Sequence, residues 1–331
     1  MHQTRSSTGS LPARQPRYGY DPTQGHGYVA VPTQTLGLYT PIVPQPELHM
    51  VQCFEHCLIP TLFLDSGCAT PAAYKASVSD PDTLTYDQAM ADKEHLTKWM
   101  EAAQKEISTL ESLGSWDEVD VSDAQSRIIP GTWVFRVKRS PDGDIKKRKA
   151  PFCCQGDLQE DNFETFAPVV SWISVHMFLV LMMILSWTTC SIDFSSAFLQ
   201  ADLPTPIWVH LPHGFKSSRG GKTCLRLKRS QYGLTVAPRL WHQHLIAALT
   251  EMGLQQSALD PCLLYKKDLL VIVYVNDVGV AAPEDALLHK FVGELQTKGF
   301  ELTRKGSFSE FLGIKFEEDK AAGTITMTQK G

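Results

Sequence analysis

The sequence predicts an α+β fold. Amphipathic helix patterns and hairpin patterns follow one another without the regular strand–helix–strand rhythm of a doubly wound sheet. The composition, 43% hydrophobic and 20% charged, is that of a globular protein that can bury a substantial core. A length of 331 residues is enough for one large domain or two ordinary ones.

The first 80 residues contain many helix and strand breakers and no sustained hydrophobic period, so we expect a poorly ordered leader or linker over 1–80. The polar beginning argues against secretion and for the cytoplasm, with a virus-like particle or the nucleus as alternatives. Cys53, His56, Cys57 and Cys68 are residue types that bind zinc, but they lack the paired spacing of a zinc site. Free thiols are therefore the expectation.

The first regular elements are predicted to be a helix and a hairpin. Apolar residues recur at helical spacing in "TYDQAMADKEHLTKWMEAAQKEISTLESLGSW" (85–116), with an acidic outer face and Gly114 as a plausible end. The segment "GTWVFRVKRSPDGDIKKRKAPFCCQG" (131–156) predicts a hairpin whose Asp-Gly turn joins two basic arms. Pro151 in the returning arm requires an edge or a bulge.

A long apolar run, "VVSWISVHMFLVLMMILSW" (169–187), follows. It is nearly long enough to cross a bilayer, but serine and histidine residues interrupt it and leave an uninterrupted apolar stretch only over 177–185. That length favours a buried helix, and a membrane span is the alternative.

The remaining elements follow from the same patterns. They are a short strand Cys190–Ile192 that leads into Asp193 and a helix-like segment, a strand in "PIWVHLPHGF" (206–215), an amphipathic helix within 232–254, a hairpin in "CLLYKKDLLVIVYVNDVGVAAP" (262–283), a helix within 285–300 and a last pair of strands within 311–329.

Charge is unevenly distributed although the net charge is only -5. Residues 80–123 contain twelve acidic and three basic residues, whereas 131–150 contain seven basic and two acidic residues and 216–239 contain seven basic and no acidic residues. The two basic stretches either line a phosphate-binding groove or are solvated loops and helix faces. Charge alone favours solvated loops and helix faces over a phosphate-binding groove.

One apolar run, "LLVIVYVNDVGVAAP" (269–283), carries Asn276 and Asp277 at its middle. Asp193 likewise follows an apolar strand. If these strands are neighbours, their carboxylates meet at one end of a sheet and repel each other unless cations neutralise them. Hard oxygen ligands of this kind suit Mg²⁺, and two such ions roughly 3.5–4 Å apart form a clamp for phosphoryl transfer.

Several long motifs stand in a fixed order: "WMEAAQKEISTLESLGSW", "WVFRVKRSPDGDIKKRKA", "ETFAPVVSWISVHMFLVL", "SIDFSSAFLQADLPTPIWVHLPHGF", "LKRSQYGLTVAPRLWHQHL" and "YVNDVGVAAP". Over about 85–331 they resemble the reverse transcriptase of Ty1/copia-type retrotransposons. The resemblance implies a domain over 81–331 with a right-hand polymerase fold, in which fingers (about 98–188 and 222–240) and palm (about 189–221 and 241–331) are present and the thumb is largely missing. It also implies an RNA or DNA template with primer, deoxynucleoside triphosphates, two Mg²⁺ ions, no membrane, and the other parts of a Pol polyprotein as partners.

The resemblance also implies roles for particular residues. Asp193 and Asp277 match the catalytic, metal-binding carboxylates, and Tyr274 to Asp277 fall on the family's Tyr-Val-Asp-Asp box. The implied nucleotide-binding residues are Phe194, Phe198, Lys147, Lys149 and Tyr274, of which Phe198 screens the sugar 2′ position. The implied nucleic-acid-binding residues are Lys138, Arg148, Arg226, Lys228, Arg229 and Arg239. A second motif between fingers and palm matches Tyr232, Gly233, Ala237, Pro238, Arg239 and Trp241.

The chain departs from the family pattern at the first acid of the box, which is Asn276. Asparagine offers a neutral carbonyl where an anion is expected, and a loss of about 4 kcal/mol of transition-state stabilisation slows a reaction roughly 10³-fold. Further departures are Pro151 for arginine, Val236 for glutamine, His176 and His213 for arginine, and Gln231 for leucine. We therefore expect the fold to be kept and polymerisation to be impaired. The alternative is a non-catalytic nucleic-acid-binding relic of a retroelement polyprotein.

Overall fold

A computed structural model describes residues 80–140, 142–159, 164–319 and 322–329 of the chain. The predicted leader up to residue 79, and with it the zinc hypothesis at Cys53, His56, Cys57 and Cys68, lies outside the described residues. All elements below belong to the second of the two units into which the chain divides.

The described part of the chain mixes helices and strands, as the α+β prediction requires. The helices are α1 (Tyr86–Ala91), α2 (Leu96–Ser112), α3 (Trp172–Ile184), α4 (Ala237–Glu251) and α5 (Asp285–Thr297). The strands are β1 (Thr83–Leu84), β2 (Trp116–Asp120), β3 (Ile128–Ile129), β4 (Gly131–Trp133), β5 (Phe135–Arg139), β6 (Ile145–Lys149), β7 (Phe152–Cys154), β8 (Thr188–Phe194), β9 (Trp208–His210), β10 (Thr223–Leu227), β11 (Gln255–Gln256), β12 (Leu263–Lys266), β13 (Leu269–Tyr274), β14 (Asp277–Ala282), β15 (Leu302–Arg304), β16 (Glu310–Phe311), β17 (Ile314–Asp319) and β18 (Thr324–Gln329).

A six-stranded antiparallel sheet, ordered β11-β12-β13-β14-β8-β15, carries the candidate site. Helices α4 and α5 cover one face through side chains such as Leu245 and Phe291. Helix α3 and the aromatic residues Phe308 and Phe311 cover the other face. Because both faces are covered, β13 is apolar along its whole length instead of alternating.

A second core surrounds α2. Trp99 and Leu110 of this helix pack with Phe135, Trp133 and other residues of the first seven strands. Around this core lie the small sheets β1-β5-β6, β4-β7 and β2-β10-β9-β3. The hairpin β5–β6 pairs Lys138 with Lys147, and we call it the basic ribbon.

The predicted first helix is divided in two. The carboxylate of Asp92 accepts hydrogen bonds from the His95 backbone N–H (3.2 Å) and from the Trp99 indole (3.0 Å), so α2 begins anew after α1. The predicted end at Gly114 is confirmed, since its φ of +61° is one that glycine adopts readily. The predicted basic hairpin keeps one register from Trp133 opposite Phe152 to Lys138 opposite Lys147, and the Val134 N–H donates to the Pro151 carbonyl (3.1 Å). Pro151 lies between β6 and β7, which are end strands of their small sheets, so the predicted edge position is confirmed.

Helix α3 is buried on one face only. Val175 and Phe178 are fully buried, whereas Val180 and Ile184 are 52% and 73% exposed. The expectation of a buried helix is therefore right for half of it. No helix among the described residues has the length and apolarity needed to cross a bilayer.

The packing divides the chain differently from the boundaries expected for fingers and palm. Helix α3, expected within the fingers segment 98–188, packs on the six-stranded sheet. Strand β9, expected within the palm segment 189–221, contributes Val209 to the core around α2. The pattern of apolar residues does not reveal which of two cores a helix or strand joins.

Candidate active site

Asp193 and Asp277 lie opposite each other on adjacent antiparallel strands, β8 and β14. The Phe194 N–H donates to the Asn276 carbonyl (3.4 Å), so the neighbouring pair Asp193–Asp277 is of the type without direct backbone bonds, in which Cα atoms are about 4.5 Å apart. Both carboxylates therefore leave the sheet on the same face at the same end. The adjacency expected from the sequence is confirmed.

Asn276 occupies a two-residue turn together with Val275, because Tyr274 pairs directly with Asp277. Val275 has a φ of +51°, a strained conformation for a β-branched residue that costs on the order of 1–3 kcal/mol. The buried Trp241 indole of α4 donates to the Val275 carbonyl (2.7 Å) and holds the turn against this helix. Asp277 is thus the first residue of the returning strand rather than part of the turn.

The Asp277 carboxyl is half-buried among other charges. Burial raises its pKa; Lys305 opposes this rise, while Asp193 and Glu310 add to it. The Lys305 ammonium donates to Asp193 Oδ1 at 3.0 Å. Beside the pair, a cleft of about 420 Å³ is lined by Ser191, Ile192, Asp277, Val278, Lys305, Gly306, Ser307, Ser309, Glu310, Phe311, Leu312 and Gly313.

The donor set suits a divalent cation only in part. Two carboxylates at one point, one with a raised pKa, are hard oxygen ligands whose mutual repulsion a cation relieves. The third expected carboxylate is Asn276, a neutral amide. Among the described residues no group of three or more histidine, cysteine or acidic side chains is arranged to hold a metal ion. Asp193 and Asp277 therefore supply two of the three carboxylates that the family resemblance implies.

The basic ribbon carries four cations on one face. Lys138 lies opposite Lys147, and Arg136 lies opposite Lys149, so their side chains share one face of the ribbon. Burial and Lys138 lower the pKa of Lys149, and the charges of Glu106 and Asp193 oppose that change. Arg148 points to the opposite face, where its guanidinium lies 5.2 Å from the centre of the Trp99 ring.

The aromatic residues predicted to bind the nucleotide have different environments. Tyr274 and Phe198 are half-buried, with ring centres 6.3 Å from Phe311 and 5.6 Å from Tyr232, respectively. Phe194 is only 3% exposed and packs in the core against Trp241. Its alternation along β8 puts its side chain on the face opposite to Asp193, so only the Phe194 backbone lies beside the carboxylate pair, and its role in nucleotide binding stays a prediction.

The other predicted nucleic-acid-binding residues lie outside the ribbon. Arg226 is exposed on β10. Three others form ion pairs: Lys228 with Asp117 (2.8 Å), Arg229 with Asp202 (3.3 Å) and Arg239 with Glu164 (2.7 Å). The structure therefore does not unite the two basic stretches into one groove of free cations.

Two residues that shape the site have no recognisable signal in the sequence, Lys305 and Gln200. Lys305 stands just beyond an inconspicuous three-residue strand, and a lone lysine has no recognisable pattern. Gln200 donates from Nε2 to the carbonyls of Ser195 (2.7 Å) and Glu301 (2.9 Å), and its Oε1 accepts from the Glu301 N–H (3.1 Å). Gln200 thereby ties the segment after Asp193 to the start of β15.

Comparison with known proteins identifies the family. The model of the family described as "Reverse transcriptase (RNA-dependent DNA polymerase)" matches residues 114–331, more than half of the chain. The chain belongs to this family. The matched part is a reverse transcriptase domain of the Ty1/copia type, so the resemblance carried by its motifs is confirmed.

Three curated relatives illustrate the relationship. The chain is 26% identical over 259 residues to the "Retrovirus-related Pol polyprotein from transposon TNT 1-94" of Nicotiana tabacum (76% of the chain, 19% of the relative). It is 29% identical over 247 residues to the corresponding polyprotein from transposon RE1 of Arabidopsis thaliana (72% and 16%). It is 26% identical over 207 residues to the "Transposon Ty1-JR1 Gag-Pol polyprotein" of Saccharomyces cerevisiae (59% and 11%). The chain thus spans less than a fifth of the length of these relatives.

Proposed function

We propose that this domain is an RNA-directed DNA polymerase of a copia-type retrotransposon, with a right-hand fold, whose activity Asn276 impairs. The observation that carries the proposal is the alignment of Asp193, Asp277 and Tyr274 on one face at the end of the six-stranded sheet. In this proposal the sheet with α3, α4 and α5 is the palm, and the basic ribbon with α2 belongs to the fingers. The segment 1–80 is a leader or linker.

The proposed substrates are a primer annealed to an RNA or DNA template and deoxynucleoside triphosphates. Asp193 and Asp277 would hold Mg²⁺, which when bound neutralises phosphate charge during phosphoryl transfer. Lys147 and Lys149, which share one face of the basic ribbon, would bind the triphosphate. The half-buried Phe198 would lie against the sugar and exclude a 2′ hydroxyl. Other parts of a Pol polyprotein would act beside this domain, as the names of the relatives suggest.

Asn276 is the reason to expect weak activity. A carboxylate at this position would give the site a further anion and raise its affinity for a divalent cation. The amide lacks that charge, and about 4 kcal/mol of lost transition-state stabilisation corresponds to roughly a 10³-fold slower reaction.

The replacement Asn276→Asp tests the proposal directly. We expect it to raise Mg²⁺-dependent primer extension on a homopolymer template on the order of 10²–10³-fold, because it restores the missing anion. The measurement is the rate of primer elongation by the parent and the variant at equal concentration, with and without Mg²⁺.

Two further variants serve as controls. Gln255→Glu also adds one negative charge, but on the edge strand β11, which β12 and β13 separate from β14. Its rate of primer elongation should equal that of the parent. Asn276→Asp combined with Asp193→Asn should return the rate to background. Equal elongation by the parent and by Asn276→Asp would contradict the proposed effect of Asn276.

A second candidate function is nucleic-acid binding without catalysis. It is favoured by the placement of Lys138 directly opposite Lys147, because like charges in that position repel unless an anion lies between them. Binding to a template–primer duplex should then weaken steeply with salt and be insensitive to Mg²⁺. Duplex binding without elongation, in the parent and in Asn276→Asp alike, would favour this candidate over the polymerase.

A further inference from the structure

Lys305 is held beside the candidate site by its backbone as well as by its charge. Its N–H donates to the Ser191 carbonyl (2.8 Å), and the Ser191 N–H donates to the Gly306 carbonyl (3.1 Å), so residues 305–306 continue the pairing of β15 with β8. Ser191 and Asp193 share one face of β8. The Lys305 side chain therefore emerges two residues from Asp193 on that face, and its Nζ donates to Asp193 Oδ1 at 3.0 Å.

The Lys305 ammonium lies where a divalent cation would have to bind Asp193 and Asp277. Lys305 lines the same cleft as Asp277 and Glu310 and forms an ion pair with Asp193, so its ammonium has acidic side chains on more than one side. Both partners of the ion pair are partly solvated, with side chains 53% (Lys305) and 38% (Asp193) exposed. The pair is thus accessible to ions from solution.

We propose that the Lys305 ammonium is the resident counterion of Asp193 and Asp277, and that a divalent cation must displace it to bind this pair. The inference rests on the proposed function only in taking these two carboxylates as the cation site. An ammonium at 3.0 Å from Asp193 Oδ1 repels a second cation at the same oxygen and occupies one of its lone pairs. Asn276 adds no negative charge to the site. A divalent cation is therefore attracted less strongly than it would be with a carboxylate at this position, and it displaces the lysine less readily.

Binding of Mn²⁺ alone, without nucleic acid or nucleotide, tests this competition. We expect Lys305→Gln to bind Mn²⁺ about fivefold more tightly than the parent, since a partly exposed ion pair of this kind contributes up to about 1 kcal/mol. The free Mn²⁺ concentration is measured by electron paramagnetic resonance during titration. Lys298→Gln, which breaks an exposed ion pair with Glu251 away from the cleft, is the matched control and should bind like the parent.

Thermal unfolding gives a second readout that a change in activity cannot mimic. In EDTA the Lys305→Gln protein should unfold at a lower temperature than the parent, because its carboxylates have lost their counterion. Mn²⁺ should raise the unfolding temperature of this variant more than that of the parent or of Lys298→Gln. Lys305→Met, which keeps the aliphatic stem, should behave like Lys305→Gln.

Each possible result either supports or overturns the proposed competition between Lys305 and a divalent cation. Equal Mn²⁺ affinity of the parent and both Lys305 variants, or no Mn²⁺ binding by any of them, overturns the inference. Variants that fold only with Mn²⁺ support it, whereas variants that stay unfolded with Mn²⁺ overturn it, because the lysine would then be more than a counterion. Primer extension is not part of this test, so a failure of Asn276→Asp to polymerise would overturn the proposed function and leave the result for Lys305 standing.

Discussion

Two buried glutamines show how differently the same residue can be accommodated. Gln200 uses both ends of its amide in three backbone hydrogen bonds. Gln231 is fully buried and donates from Nε2 to the Phe152 carbonyl (3.0 Å), but its Oε1 has no partner among the described residues. A buried acceptor without a partner costs about 1–3 kcal/mol. The resemblance noted from the sequence implies leucine at this position, and leucine has no such requirement.

The two glutamines should therefore respond in opposite directions to the same substitution. Gln231→Leu should increase the free energy of unfolding by about 1 kcal/mol, because removal of the unpaired oxygen outweighs loss of one hydrogen bond. Gln200→Leu should lower it by about 2–3 kcal/mol. Urea unfolding followed by tryptophan fluorescence measures both. A Gln231→Leu protein that is less stable than the parent would show that the bond to Phe152 matters more than the unpaired oxygen.

At the scale of elements, α3 exposes an apolar face that its sequence does not distinguish from its buried face. Val175 is fully buried against the central sheet, and Val180, on the same helix, is 52% exposed. A helix that is apolar all round gives no periodic indication of which side faces the core.

Identical substitutions on the two faces measure this difference. Val175→Ala should lower the free energy of unfolding by about 2 kcal/mol, because it removes buried methyl groups and leaves a cavity. Val180→Ala should change it by less than about 0.5 kcal/mol. Chemical denaturation of the two variants is sufficient. Similar losses for both would mean that the exposed face is covered in solution.

Over the whole molecule, acidic residues of the stretch 80–123 contact the basic stretch 216–239. Glu118 of the acidic stretch 80–123 accepts hydrogen bonds from the Ser218 and Thr223 hydroxyls, and Asp117 pairs with Lys228. The basic stretch 216–239 is thus partly neutralised within the fold, as the interpretation of solvated surfaces expects. In the basic ribbon, by contrast, neither Lys138 nor Lys147 forms an ion pair with a described carboxylate.

The ribbon and the neutralised stretch should therefore differ in nucleic-acid binding. Replacing Lys138 and Lys147 together by glutamine should weaken binding to a template–primer duplex and make the slope of log affinity against log salt shallower by about 2, roughly one for each lost phosphate contact. Lys228→Gln should leave the slope unchanged, since Asp117 already neutralises that charge. Fluorescence anisotropy at several salt concentrations measures both. An equal effect of the two changes would contradict the assignment of the ribbon as the phosphate-binding surface.

The sequence predicts local features better than it predicts their partners. The helices at 237–251 and 285–297 and the hairpin that bears Asp277 could be predicted, because each depends on a hydrophobic period or a turn. The adjacency of Asp193 and Asp277 pairs strands far apart in the chain and was expected only on the condition that these strands are neighbours. Strands β2 and β10 were not predicted, since each is short and interleaves charged residues. The contact of Lys305 with Asp193 and the burial of Phe194 depend on how distant segments pack, which periodicity does not encode.

The turn at Val275–Asn276 has one further consequence. Among the described residues the Asn276 side chain forms no hydrogen bond. The turn is held through its backbone, since the Trp241 indole donates to the Val275 carbonyl and the Phe194 N–H donates to the Asn276 carbonyl. Aspartate would preserve both of these backbone contacts. The exchange of asparagine for aspartate at this turn therefore leaves the backbone framework unchanged, and what it alters is the charge beside Asp193 and Asp277.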